Sequence, residues 1–494
     1  DHTSTTACQG DHHVFSPLSP PSSCAPVRTG RIAAILVAAG ALFAGVGQAP
    51  GEPEPVARGV AALEPVPAGR RGFPAAAAYE ANWPQWRGPL ATGVAPSSDP
   101  PARFGAAAGV MWKTEIPGRG QSSPIVWGDL VFVTTAVPTE PEVRPSERPR
   151  RRRLLLVPHE FRLIALDRGS GEVRWSRTAI TAEPHEGYHR TFSSYANASP
   201  VTDGERVYAF FGSRGLYAYD LHGEPVWSRD FDVEMESYGS FGEASGPALH
   251  GDTIVVLFDH EGQSFIEAVD VLDGRSRWKR LREEDTSWTT PLIVEHGGRT
   301  LAVASGGNFV TAYDLGSGEV VWRARGMTPH PIPTPVAGEG LLIAVSGSRE
   351  RRALAIRLGR QGNLTRTDAI AWSLDRGAPY NPSPLLWDDE LYLVRDGGLN
   401  VGSSRLSLLD VRTGEPAYLE ESIGGYSIKA SPVGAAGRIY LPTEEGDVLV
   451  IRRGPDPELL AVNRLGEPFI ASPAIAGDEL YLRGIRHLFS IAER

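Results

Sequence analysis

From Ser122 onward the chain alternates short apolar, β-branched runs with polar turns rich in Gly and Asp. The runs are too short for helices and carry the alternation of half-buried strands. In ASPVTDGERVYAFFGSRGLYAYDLHGEPVWSRD, which begins at Ala198, four such runs are parted by Asp-Gly, Gly-Ser-Arg-Gly and His-Gly turns that suit tight hairpins. The unit recurs. Its openings are Ser123-Pro124, Ser199-Pro200, Gly246-Pro247, Thr290-Pro291, Thr334-Pro335, Ser383-Pro384, Ser431-Pro432 and Ser472-Pro473. Subtracting successive positions gives spacings of 41 to 49 residues after the first interval. Four short strands at a period in the forties describe the blade of a β-propeller. A Pro at each opening sits where a strand begins and its missing N–H costs little.

The first six units end in a strand bearing a large ring, in most of them at a fixed distance from a turn Gly. Gly171 precedes Trp175, Gly223 precedes Trp227, Gly274 precedes Trp278, and Gly318 precedes Trp322; Tyr418 follows Gly414 at the same distance, and Trp372 serves the fifth unit after a longer turn. A ring on each outer strand can wedge against the next blade and bury roughly 200 Å². The last unit supplies three strands, while an orphan strand around Trp112 precedes the first. Val110 to Ile116 is therefore expected to complete the last blade and leave no open sheet edge. The expectation is an all-β fold: an eight-bladed propeller over residues 82–494, closed by the strand of Trp112.

The region before the propeller differs. Residues 1–31 read as a disordered or misassigned N-terminus. Residues 32–49 contain the apolar run IAAILVAAGALFAGV after Arg28 and Arg31 and read as a signal peptide or N-terminal anchor. Residues 50–81 read as a Pro/Ala-rich linker. The chain is thus expected to be periplasmic or secreted, with no membrane span beyond that segment. Net charge changes the picture once: at -10 the chain lacks the basic character of a nucleic-acid binder. The only cysteines, Cys8 and Cys24, lie outside the repeats, so no thiolate metal site is expected in the propeller. The run Arg148 to Arg153 falls in a long insertion within the first blade and reads as a solvated loop.

The units Ala165-Leu166-Asp167…Gly171…Trp175 and Ala312-Tyr313-Asp314…Gly318…Trp322 resemble the repeat of the pyrroloquinoline quinone (PQQ) propellers. The segment Asn82-Trp83-Pro84-Gln85-Trp86-Arg87-Gly88-Pro89 resembles the lead-in of bacterial PQQ-binding-like propeller proteins. The resemblance covers about residues 82–494. It implies one of two functions, because the repeat is shared by periplasmic quinoprotein dehydrogenases and by cofactor-free propellers such as the lipoprotein subunit of the outer-membrane β-barrel assembly machinery. A dehydrogenase of this kind would hold PQQ and Ca²⁺ and use a carboxylate base. Glu243, Asn197 and Trp288 are of suitable type, although they match no local ligand motif, and the propeller has no cysteine pair to cover a quinone.

In a propeller the between-blade connections gather at one mouth of the central channel, where ligands sit. Here they carry His185, Glu186, His189, Asn197, Glu243, Trp288, His330, Tyr380, Asn381 and Lys429, and the third blade's middle hairpin adds His260 and Glu261. His185, His189, His260 and Glu261 are the metal candidates, against a reading in which they only pack and hydrogen-bond loops. The rings of Trp112, Trp175, Trp227, Trp278, Trp322 and Trp372 are expected to be structural. The reading is a monomeric scaffold that binds a protein partner or small-molecule ligand on its loop face, with no assured cofactor. The alternatives are a PQQ- and Ca²⁺-dependent alcohol or sugar dehydrogenase and a metal-assisted enzyme at the His/Glu mouth.

Overall fold

The computed structural model describes residues 76–140, 156–396 and 403–493. Cys8, Cys24, the apolar run of 32–49 and Arg148–Arg153 lie outside the described residues. Of the segment expected as linker, residues 76–81 are described, and Ala76–Glu80 form a short helix.

Eight antiparallel sheets follow one another along the chain. In the first blade the strands Ile125–Trp127, Leu130–Pro138, His159–Asp167 and Val173–Ala182 run from inner to outer edge. Six further blades repeat this order. The eighth takes three strands from the end of the chain, Ala474–Ala476, Glu479–Arg483 and His487–Ile491, and its outer strand from Val110–Glu115. Val110 lies opposite Ile491 and Glu115 opposite His487, so the ring closes where the sequence placed the closure.

The Ala-x-Asp…Gly…Trp pattern has a packing logic. Ala165, Ala218, Ala268, Ala312 and Ala355 lie directly across the ladder from Trp175, Trp227, Trp278, Trp322 and Trp372, where a small side chain leaves room for the indole. The Asp folds the turn: Asp167 Oδ1 accepts the Ser170 N–H at 2.8 Å and its hydroxyl at 2.9 Å. Each turn Gly then receives the Trp of the preceding blade. Gly171 lies beneath Trp112, Gly223 beneath Trp175, Gly274 beneath Trp227, Gly318 beneath Trp278 and Gly414 beneath Trp372, and a methyl on any of them would overlap the ring. The same indoles donate to backbone carbonyls of that neighbour, as Trp175 Nε1 does to Leu221 at 3.0 Å and Trp278 Nε1 to Leu315 at 2.7 Å. Trp322 departs from the rule. The fifth blade lacks the Gly turn, the Trp322 Nε1 has no acceptor, and residues Gly362–Asn363 pair alongside Trp322 as a short parallel fifth strand.

The Ser/Thr of the blade openings does work that the sequence reading assigned to Pro alone. Each opening N–H donates to the hydroxyl of the next opening: Ser123 to Ser199, Thr290 to Thr334, Thr334 to Ser383, Ser383 to Ser431, Ser431 to Ser472, and Ser472 back to Ser123, at 2.9–3.1 Å. Gly246 N–H likewise donates to Thr290 Oγ1 at 2.9 Å. Only the link from Ser199 is missing, because position 246 has no hydroxyl.

The lead-in crosses the opposite end of the inner strands. Trp83 exchanges backbone hydrogen bonds with Val126, Thr202 N–H donates to Pro84, and Leu386 N–H donates to Thr92. Arg87 is buried among these contacts, and its guanidinium donates to the carbonyls of Pro432, Pro384 and Thr92 at 2.7, 2.6 and 3.1 Å. With no carboxylate among those partners, burial pushes its pKa down to about 9. The segment therefore forms a floor across the channel. Among the described residues no helix is long and apolar enough to cross a membrane.

Candidate functional site

Above that floor the between-blade connections enclose a cavity of about 190 Å³. Trp86 reaches it from the lead-in, and Phe192, Phe241, Trp288, Ile332 and Tyr380 provide apolar wall. Polar groups enter from Gln121, His189, Asn197, Asn381 and Lys429, and the hydroxyl ring contributes Ser123, Ser199 and Thr290. No Asp or Glu lines it among the described residues.

Several of these groups are already committed. Asn197 Oδ1 accepts the N–H and hydroxyl of Ser194, and Nδ2 donates to Ser193 Oγ, Ser194 O and Glu243 O at 2.7–2.8 Å. Its amide is a clamp between two connections. Trp288 Nε1 donates to Gly242 O at 2.6 Å. Lys429 Nζ donates to the fully buried Asp396 at 3.0 Å and stands 4.7 Å from the centre of the Phe192 ring. Tyr380 N–H donates to the other Asp396 oxygen. His189 stacks on Phe192 at 4.6 Å between ring centres and meets Phe241 edge-on. Its Nδ1 is buried without a partner, as is Gln121 Nε2. Burial foremost, and then the Lys429 charge, lower the His189 pKa. Gln121, Phe192, Phe241 and Trp86 were not singled out from the sequence, although Gln121 and Phe192 stand beside residues that were.

The other expected site residues lie elsewhere. His330 is at the rim, stacked 4.0 Å from Tyr238, with Nδ1 3.2 Å from Thr286 O. His260 Nδ1 accepts the N–H groups of Glu236 and Gly262, and its Nε2 lies 3.2 Å from Gln263 O. Glu261 accepts the Thr286 hydroxyl at 2.6 Å. Glu243 turns away from the channel into a neighbouring space of about 40 Å³, which His185 and Glu186 also line. There its carboxylate accepts the Ser213 N–H at 2.7 Å and hydroxyl at 2.6 Å. Gly212 is required beside it, since any Cβ at that residue would collide with the carboxylate.

His185, Glu186 and Glu243 bring three potential ligand atoms within 4.8 Å of one another. Of the four sequence candidates only His185 is in this group. His185 Nε2 is 2.7 Å from Met235 O, so it carries the proton, and Nδ1 is 3.1 Å from Arg214 Nη2. Both ring nitrogens are thus engaged, and a cation already stands beside them. Burial pushes the Glu243 carboxyl up to about 7, raises Glu186 and lowers His185.

A family model described as the outer membrane protein assembly factor BamB matches residues 159–418, more than half of the chain. The chain belongs to the PQQ-like propeller family. Among solved structures, this PQQ-like propeller is similar to BamB from Moraxella catarrhalis, with a TM-score of 0.52 and 14% identity over 77% of this chain and 99% of that one. It is also similar to the quinohemoprotein alcohol dehydrogenase from Comamonas testosteroni, with a TM-score of 0.57 and 11% identity over 85% and 81%. A europium-containing methanol dehydrogenase gives a TM-score of 0.58 and 10% identity over 83% and 90%. At these identities the likeness is one of fold, and it embraces both functional branches of the family. No curated protein matches the chain.

Proposed function

We propose that this PQQ-like propeller is a non-redox binding scaffold of an exported compartment, taking a ligand in the channel mouth and a partner on the surrounding loops. The observation that carries the reading is the makeup of the cavity: aromatic walls, neutral polar groups beside the Asp396-paired Lys429 and, among the described residues, no lining carboxylate. A quinone held with Ca²⁺ calls for carboxylate and amide oxygens around the ion and a carboxylate base beside the substrate. Here Asp396 is spent on Lys429, Glu243 points into the adjoining space, and the Asn197 amide is saturated by its own loop and by the Glu243 carbonyl. The donor set on the channel wall does not fit that cofactor. Export is supported by the apolar run of 32–49. A partner in outer-membrane protein assembly, which the matching family's description names, would use the same loop face.

The test is a titration of the full chain with PQQ and Ca²⁺, followed by cofactor absorbance and by dye reduction with alcohols. Neither saturable uptake nor turnover is expected. A small aromatic probe such as indole should bind, and Trp288→Ala should abolish that binding. Turnover with PQQ would overturn the proposal.

A further inference from the structure

The floor beneath the channel covers only part of the ring. Val126, Thr202, Leu386 and Gly434 each stand three positions after a blade opening. Each donates its N–H to the lead-in, to the carbonyls of Trp83, Pro84, Thr92 and Gly93 respectively, at 2.9–3.2 Å. Over the eighth blade the lead-in returns, and Asp99 N–H donates to Asp478. The same position in the third, fourth and fifth blades belongs to Leu249, Ile293 and Ala337. Each lies an odd number of residues from the pair that closes its two-residue hairpin, so the ladder alternation turns its N–H away from its own sheet, toward the middle of the ring. Among the described residues the lead-in reaches none of these three N–H groups.

A groove of about 130 Å³ runs there. Leu249, Leu292 and Ile293 line one side, Pro89 and Leu90 the other, and Leu90 is 49% exposed. Where the chain enters indicates what fills the groove. Tyr79, in the helix Ala76–Glu80, lines it too, and that helix rises only about 1.5 Å per residue, so the residues before Ala76 start beside it. They read Arg70-Arg71-Gly72-Phe73-Pro74-Ala75. Extended at about 3.3 Å per residue, these six span roughly 20 Å. Phe73 is the nearest large apolar side chain before the helix. An apolar cavity of about 150 Å³ takes up a benzene ring, so the groove has room for one phenyl group. Glu295, exposed and 3.2 Å from the groove residue His250, offers charge opposite to that of Arg70 and Arg71.

We propose that residues 70–75 lie in this groove as a strap, with Phe73 seated among Leu90, Leu249 and Ile293 and the main chain bonding the inner strands of the third and fourth blades as the lead-in bonds the others. The strap belongs to the same chain, so it competes for the groove at an effective concentration in the millimolar range. It covers strand edges that a foreign strand could otherwise pair with. Trp86, Pro247 and Thr290 line both the groove and the channel cavity, so the strap also backs the channel wall. None of this depends on what the channel binds.

Amide hydrogen exchange of the full chain tests it, read at Leu249 and Ile293 with Val126 and Gly434 as internal references. Phe73→Asp should speed exchange at Leu249 and Ile293 by about tenfold or more and leave the two references unchanged. Leu90→Asp, on the opposite side of the groove, should do the same, whereas Phe73→Leu should stay close to the parent. A synthetic peptide of residues 64–75 should bind the Phe73→Asp chain saturably and restore protection, and the peptide carrying Phe73→Asp should do neither. Equal exchange in parent and Phe73→Asp would overturn the proposal. So would protection that is lost on dilution, since the occupant would then be the segment of a second copy. Fast exchange at Leu249 and Ile293 in the parent would leave the groove to a partner protein and overturn it as well. A rise at all four amides alike would mark loss of the fold rather than of the strap, and the proposal would fall with it.

Discussion

Trp112 Nε1 donates to the carbonyl of Arg168 at 2.7 Å, across the seam between the eighth blade and the first. The indole covers Gly171, whose φ of 74° and missing side chain make room for it. The contact is the same one that Trp175, Trp227, Trp278 and Trp372 make with the blades that follow them, so the seam is held by the fold's own repeating device.

That device gives a paired prediction. Trp112→Phe loses a hydrogen bond and should cost about 1 kcal/mol beyond the change in ring area. Trp322→Phe forfeits no such bond, because its Nε1 has no acceptor. Thermal melts of the two variants should differ in that order, and equal losses would refute the assignment.

The Lys429–Asp396 pair is buried on both sides. Lys429→Met strands a buried carboxylate and should destabilise by about 3–5 kcal/mol. The double variant Asp396→Leu/Lys429→Met removes both charges and should recover much of that loss. Chemical denaturation of the single and double variants measures the difference.

Glu243 and Glu284 are both pushed up to about 7, chiefly by burial. An unfolded Glu ionises near its ordinary value of 4.5, so between about 4.5 and 7 the folded chain holds protons that the unfolded chain has released. Stability should therefore fall as pH rises through that window and level off above it. Glu243→Gln should shallow the fall, and a melting-temperature series from pH 4.5 to 7.5 shows whether it does.

Arg87→Lys tests the floor of the channel. A single ammonium cannot serve the carbonyls of Pro384, Pro432 and Thr92 as the forked guanidinium does, and each carbonyl left unpaired costs about 1–3 kcal/mol. Limited proteolysis should cut the variant within residues 82–95 sooner than the parent chain.

The architecture was legible because its signals are local. Trp at a fixed distance from Gly, and Pro at each opening, arise from steric needs that recur in every blade, and the leftover Trp112 strand announced closure. What sequence order concealed was which Gly serves which Trp. Gly171 precedes Trp175 in the chain but lies under Trp112, because the contact crosses between blades. The hydroxyl ring was hidden for the same reason: Ser199 and Ser123 are partners only once the circle is built. At the site, the connections indicated which residues approach the mouth but not which way each turns. Asn197 and Glu243 look alike as ligand donors in sequence, yet the Asn197 amide ties two connections together and the Glu243 carboxylate is drawn toward the Ser213 turn. Gln121 and Phe192 carry no motif, and only the shape of the cavity distinguishes them.

The closing strand also sets a timetable. Val110–Glu115 is made before the first blade, yet its pairing partner His487–Ile491 is made after the seven complete blades. Ribosomal synthesis can deliver blades one by one, but the clasp of the ring must wait, unpaired, for hundreds of residues. Throughout that interval the Trp112 strand presents a bare edge to any other strand nearby. The circle can close only once the His487–Ile491 strand has been made, and keeping the first strand out of wrong partnerships until then is a task for the cell as much as for the sequence.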